Sequence, residues 1–161
     1  MALSNIYNDI LMEHNTHPDH KHKLSSASDC KIAINPKCEE DEILVKKGIN
    51  PSCGDEIVLE INVENGIIKD AAFNGQGCAI SQASTDIMVD LIIGKKIDEA
   101  IELTDLFINM VRGEETDKEK LEQLDEAIAL KDISHMPARV KCAVLAWHTL
   151  NEMLKGKKSA S

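Results

Sequence analysis

A chain of 161 residues, 43% hydrophobic and 29% charged, is long enough for one domain with a buried core. Its net charge of −10 and its four aromatic residues, Tyr7, Phe73, Phe107 and Trp147, argue against the cationic footprint and stacking platforms of a nucleic-acid binder. No run approaches the roughly 18 apolar residues of a membrane span, and the first residues lack the basic then apolar pattern of an export signal; the expectation is a single cytoplasmic domain over 1–161, with no membrane partner.

Taken in chain order, Ile6, Ile10 and Leu11 fall at helical spacing behind Ser4, with Tyr7 and Met12 beside them, which predicts a short amphipathic helix over 4–14 capped by Ser4. His14, His17, His20 and His22 follow, within a polar run that reaches Ser28. The run holds no thiol and many turn residues, so it reads as a solvated, flexible loop in preference to a metal site. The whole of 15–49 reads as loop-rich, with short extended candidates at 31–34 and 42–45 on either side of "NPKCEED". Next, residues 56–63 alternate Ile57, Leu59, Ile61 and Val63, and 67–73 form a second extended run. Asn65-Gly66 between them is a strong hairpin signal, because both residues adopt positive φ readily. About three antiparallel strands are expected.

From Cys78 onward the period becomes helical. Ile80, Ser84, Ile87, Met88, Leu91 and Ile92 make one stripe that stops at Gly94. Ile97, Ala100, Ile101, Leu103, Leu106, Phe107, Met110 and Val111 make another that stops at Gly113, and Leu121, Leu124, Ile128 and Leu130 suggest a third, more charged helix. A last helix starts with Pro137 in its first turn and runs to about Lys155, burying Val140, Val144, Trp147, Leu150 and Leu154 and leaving 156–161 as a flexible tail. Strands followed by helices give an α+β class, with helices packed on one face of a small antiparallel sheet.

Five cysteines, Cys30, Cys38, Cys53, Cys78 and Cys142, favour thiol chemistry or metal binding over a disulfide framework in a chain without an export signal. Three of them stand at junctions. Cys53 lies on the turn entering a strand, Cys78 follows "NGQG" at the head of a helix, and Cys142 lies in the second turn of the last helix. The positive end of a helix dipole stabilises a thiolate, the form that binds metals and attacks sulfur, and Cys78 is placed to feel it. Asp55, two residues beyond Cys53, returns to the same side of an extended chain and can join three thiolates as a fourth ligand. Such a set around a divalent ion carries a charge of about −2; Arg139, one turn before Cys142, can offset it, and Lys141 adjoins the thiol. The plain alternatives are buried cysteines acting as small hydrophobes, Asp55 as a turn residue and Arg139 as a solvated one. With no CxxC pair, spacing alone goes no further than a candidate Cys/Asp metal site.

The segments "NPSCGD", "AAFNGQGCAISQAST" and "PARVKCAVLAW" together resemble the IscU-like family of iron-sulfur cluster assembly proteins, most closely its SufU branch. The likeness covers 50–150, with a weaker match through the first helix and His17-Pro18. Two features favour that branch: Lys141 stands where IscU scaffolds carry a histidine, and the 79–141 stretch between Cys78 and Cys142 holds an additional helical insertion. The resemblance implies a zinc ion held by Cys53, Asp55, Cys78 and Cys142, and a sulfurtransferase or sulfur-carrier role with a SufS-type cysteine desulfurase and other iron-sulfur assembly proteins. Cys53 would accept persulfide sulfur after a desulfurase histidine replaces it on zinc, with Asp55 tuning how readily the site opens and Arg139 holding the charge balance. A scaffold for a [2Fe-2S] cluster is the alternative within the family, and a structural zinc-binding interaction domain the alternative outside it. The chain departs from the pattern between His17-Pro18 and "NPSCGD", where additional residues carry Cys30, Cys38 and an acidic run from Glu39 to Glu42 that the resemblance does not explain.

Overall fold

The computed structural model describes residues 2–22, 24, 41–52 and 54–160. Helix α1 (Ala2–Thr16) leads to strands β1 (Asp41–Asn50), β2 (Asp55–Glu64) and β3 (Ile67–Gln76). Helices α2 (Ala79–Ile92), α3 (Ile97–Val111) and the short α4 (Lys118–Leu121) follow, then a 3₁₀ segment (Glu122–His135) and the long α5 (Pro137–Ala160). The strands form one antiparallel sheet in the order β1-β2-β3. Asn65 and Gly66 turn between β2 and β3 with φ of 53° and 75°, the left-handed pair a two-residue hairpin needs. The expected α+β class therefore holds.

Alternation along β2 aims Ile57, Leu59, Ile61 and Val63 into a core shared with α2, α3, α5 and the 3₁₀ segment. Trp147 of α5 stacks on Phe107 of α3 with ring centroids 3.8 Å apart and planes 8° from parallel. Both rings are fully buried, and burial of such a side chain is worth about 1.5–3 kcal/mol. The Trp147 indole N–H donates to Ser84 Oγ (2.9 Å), whose own hydroxyl donates to the Ala143 carbonyl (2.6 Å), so the polar atoms inside this contact are paired.

Several expectations are corrected. Helix α1 begins before Ser4, which lies inside it, and extends to Thr16. Of the stretch expected to be loop-rich, 41–49 belongs to β1, a strand of 10 residues whose pairing with β2 persists through Lys46 and Lys47. The histidine-bearing run is fastened along the edge of β3: Phe73 N–H donates to the His20 carbonyl (3.0 Å), Lys21 bridges to Phe73, and Leu24 is buried. This covers part of an otherwise open sheet edge. The third expected helix is a single α-helical turn followed by 3₁₀ backbone with a break at Asp125 (φ 52°, ψ −126°). Leu121, Leu124, Ala127, Leu130 and Ile133, all buried, recur every three residues, the period at which 3₁₀ side chains eclipse onto one face. Helix α5 continues to Ala160 through the stretch expected as a tail. The extended candidate at 31–34, Cys30, Cys38 and the polar run over 25–28 lie outside the described residues. Among the described residues no helix is long and apolar enough to cross a membrane.

Candidate metal centre

The turn from β1 to β2 spans four residues, and its strand ends pair Asn50 with Asp55. Asp55, the first residue of β2, is 0% exposed. Its Oδ1 accepts the backbone N–H of Cys78 at 2.9 Å. That approach depends on Gly77: a Cβ there would stand 2.8 Å from Asp55 Oδ1 and 3.3 Å from its carboxyl carbon, so a side chain would push the carboxylate away. Cys78 is the N-cap of α2, with extended backbone (φ −68°, ψ 165°) and a sulfur that accepts the N–H of Ser81 at 3.4 Å. The cap thus points a sulfur at the positive end of a helix of 14 residues. Cys142 arrives from α5, which Pro137 opens; its thiol is buried and donates to the Ala138 carbonyl at 3.6 Å.

One carboxylate oxygen and the sulfurs of Cys78 and Cys142, from three separate elements, lie within 4.8 Å of one another. The second oxygen of Asp55 is buried and has no hydrogen-bond donor. An ionised carboxylate with one bare oxygen is costly to bury unless a cation meets it. Thiolates and a carboxylate are donors that zinc takes, and a fourth ligand would complete its usual set of four. Cys53 lies outside the described residues; its neighbours Pro51, Ser52 and Gly54 are exposed. Arg139 is exposed and forms no ion pair among the described residues, so no contact links it to the three ligand groups. Lys141 is also exposed and lines a cavity of about 650 Å³ with Ile49, Asn50, Val140 and Val144.

The structure also assembles polar residues that sequence reasoning passed over. Asn50, the first residue of the segment "NPSCGD", is buried with its amide nitrogen unpaired, and Ser81 is buried with its hydroxyl unpaired. For Asn50 the usable signal is the period-2 continuation of β1 from Gly48; for Ser81 it is the distance of one helical turn from Ser84. His14, set aside as part of a solvated run, donates from Nδ1 to Asp86 Oδ2 and from Nε2 to Glu126 Oε2, both at 2.6 Å. Burial works against charge on His14, yet the hydrogen bonds and charges of Asp86 and Glu126 outweigh it and hold its pKa above the usual 6.5. Asp86 lies off the apolar stripe of α2, yet the helix is buried on all sides from Ser81 to Val89.

Residues 6–143 match the NifU-like N terminal domain family. The iron-sulfur cluster assembly scaffold protein IscU of Thermotoga maritima is 47% identical over 72% of this chain and 80% of its own length. The zinc-dependent sulfurtransferase SufU of Bacillus subtilis is 35% identical over 93% of this chain and 90% of its own. A solved structure from Fervidobacterium islandicum, described as a candidate iron-sulfur cluster assembly scaffold protein for the SUF system, superposes with a TM-score of 0.75 at 35% identity, covering 93% of this chain and 97% of that one.

Proposed function

Because the chain belongs to the NifU-like N terminal domain family, we propose that it serves iron-sulfur cluster assembly as a zinc-dependent sulfur acceptor, taking persulfide sulfur from a SufS-type cysteine desulfurase onto Cys53. The observation that supports this reading is that one Asp55 oxygen and the Cys78 and Cys142 sulfurs lie within 4.8 Å of one another, at a buried carboxylate whose Oδ2 has no hydrogen-bond partner. Bound zinc would keep the sulfurs deprotonated without adding redox chemistry of its own.

The remaining roles fall to the chain. Cys78, at the cap of α2, and Cys142, buried on α5, are held by their helices and suit permanent ligation. Ser52 and Gly54, the sequence neighbours of Cys53 in the β1–β2 turn, are exposed, which favours Cys53 as the thiol that meets a partner's persulfide. Its thiolate attacks the outer sulfur of that persulfide; the new S–S bond forms at Cys53 as the old one breaks, and the desulfurase cysteine leaves as a thiolate. Sulfur moves with no net oxidation. Asp55, fixed by the Cys78 N–H, keeps the site together while Cys53 is engaged elsewhere. Asp55, Cys78 and Cys142 would hold the metal with a desulfurase histidine in the place of Cys53, which would leave the Cys53 thiolate free to accept sulfur for other assembly proteins.

The test is cysteine turnover by the desulfurase with and without this protein. Wild type should accelerate turnover and Cys53→Ala should not; equal stimulation by both, or none by wild type, defeats the reading. The 47% identity to a relative named as a scaffold favours a second reading, assembly of a [2Fe-2S] cluster on the same residues. A zinc carrier is colourless with about one zinc per chain, whereas a scaffold turns brown on reconstitution with iron and sulfide. A purely structural zinc domain would leave turnover unchanged and lose its fold with Cys53→Ala as with any other ligand.

A further inference from the structure

Among the described residues, buried side-chain polar atoms without a hydrogen-bond partner occur on five residues: Asn50, Asp55, Asn62, Ser81 and Gln82. All but Asn62 sit at the end of the molecule where the β1–β2 turn meets the first turn of α2. Folded proteins pair nearly all such groups, so a concentration of them marks a place whose partner arrives with a ligand. For Asp55 the partner is the metal of the proposed function, and the inference below rests on that reading. Asn50 and Ser81 are different, since each offers a donor and neither is a metal ligand.

Their placement is specific. Asn50 and Asp55 are directly opposed in the β1–β2 register, so their side chains share a face with Cβ atoms about 5 Å apart. Ser81 Oγ and Asp55 Oδ1 stand 3.2 Å and 2.8 Å from the same point, the Cβ position of Gly77. The backbone N–H of Ser81 already binds the Cys78 sulfur. The two unused donors thus flank the carboxylate and the capping sulfur. Loading a divalent ion onto thiolates and a carboxylate leaves negative charge in a pocket where Asp55 and Cys142 are 0% and 1% exposed. Among the described residues no ion pair reaches Asp55, and the cations that precede Cys142 on its helix, Arg139 and Lys141, are exposed.

We propose that the Ser81 hydroxyl and the Asn50 amide are positioning residues for the metal centre: on loading, Ser81 donates to the Cys78 sulfur and Asn50 to the Asp55 carboxylate, stabilising the anionic ligand set with neutral donors. This division gives each of the two buried donors a partner. It also separates the ligands by strength. A sulfur that accepts two hydrogen bonds is a weaker nucleophile and a more settled ligand, so Cys78 stays on the metal while another thiol exchanges.

The test compares wild type with Ser81→Ala, Ser81→Thr and Asn50→Ala by chelator competition for zinc, by the sulfur-to-cobalt charge-transfer band of the cobalt-substituted protein, and by melting of the metal-free protein. Ser81→Ala and Asn50→Ala should each weaken zinc binding about tenfold, as loss of a supporting hydrogen bond to a ligand does. In Ser81→Ala the charge-transfer band should move to lower energy, because a sulfur relieved of a hydrogen bond gives up its electrons more readily; Ser81→Thr should restore both. Metal-free Ser81→Ala should melt no lower than wild type, since it deletes a buried hydroxyl that has no partner. Unchanged affinity and band in both alanine variants would overturn the proposal. So would a lower melting temperature of metal-free Ser81→Ala with an unmoved band, the mark of a purely structural role. If wild type binds neither zinc nor cobalt, this inference falls with the metal reading; if wild type binds and the variants match it, this inference alone falls.

Discussion

Helix α2 carries two buried polar clusters eight residues apart, and they are finished to different degrees. Around Asp86 every carboxylate oxygen is used: Oδ1 accepts the His20 N–H (2.9 Å) and Oδ2 accepts His14 Nδ1–H, while Glu126 takes the other ring nitrogen. Around Asp55 one oxygen accepts the Cys78 N–H and the other has nothing. Both aspartates are 0% exposed, so burial is matched and only the pairing differs. A buried carboxylate with full pairing is accounted for by the fold, whereas one left half-paired carries an uncompensated cost that a cation would offset. The first clasps α1 and the 3₁₀ segment onto α2; the second is the candidate metal centre.

That contrast can be broken at either end, and the clasp should cost more. Asp86→Ala removes the acceptor of the His20 N–H and of one ring nitrogen of His14 in a part-buried region, which should destabilise the protein by about 2 kcal/mol. Chemical denaturation of the metal-free protein measures this, and zinc affinity of the folded fraction should not change. A loss below about 0.5 kcal/mol would show that the clasp contributes little. The mirror experiment is Asp55→Asn, which keeps an acceptor for the Cys78 N–H and removes the charge. Zinc affinity should fall roughly a hundredfold while metal-free stability holds or rises, because a bare buried carboxylate oxygen has been neutralised. Equal affinity in chelator competition would remove Asp55 from the ligand set.

Which of these regions could be read in the sequence follows from the range of the forces involved. Local rules sufficed for the Asn65-Gly66 hairpin, the alternation of β2 and the stop signals at Gly94 and Gly113, since each depends on neighbours a few residues away. Asp55, Cys78 and Cys142 were legible as a set because three short motifs carried them. Length was misjudged where a neighbour decides it: β1 persists past Lys46 and Lys47 because its backbone pairs with β2, and Gly48 is required where a Cβ would run into the Thr149 hydroxyl of α5. A 3.6-residue period was read for the third helix because Leu121, Leu124 and Ile128 fit it, whereas the burial of Ala127, Leu130 and Ile133 with Leu121 and Leu124 fits a three-residue repeat. Helix α2 looked one-sided because Thr85 and Asp86 are polar and off the stripe, yet Thr85 buries its hydroxyl by donating to the Ser81 carbonyl at 2.7 Å and Asp86 is fully paired. Arg139 was expected at the metal centre from helical spacing alone, which fixes a face but not the reach of the side chain. The His14 clasp joins residues 72 and 112 positions apart, beyond any local rule.

The smallest effect sharpens the comparison most, because it gives the two clusters different pH responses. His14 donates from both ring nitrogens to carboxylates, so its bound form is the imidazolium. Burial resists that charge, but the hydrogen bonds and charges of Asp86 and Glu126 prevail and raise its folded-state pKa above 6.5. For a group with a raised folded-state pKa, the stabilisation is fully present below the unfolded value and disappears as pH rises through the folded one. The clasp should therefore be strongest below about pH 6.5 and loosen on the alkaline side, with amide exchange in α1 quickening there before exchange in β2 does. His14→Gln keeps one hydrogen bond and cannot be charged; it should cost about 1 kcal/mol at low pH and flatten the pH dependence of α1 exchange. Metal binding runs the other way, since thiolate and carboxylate ligands must lose protons and zinc affinity rises with pH. Raising the pH should thus loosen one end of α2 as it prepares the other. If α1 exchange in wild type were flat across that range, His14 would be a neutral spacer and the two clusters would differ in pairing alone.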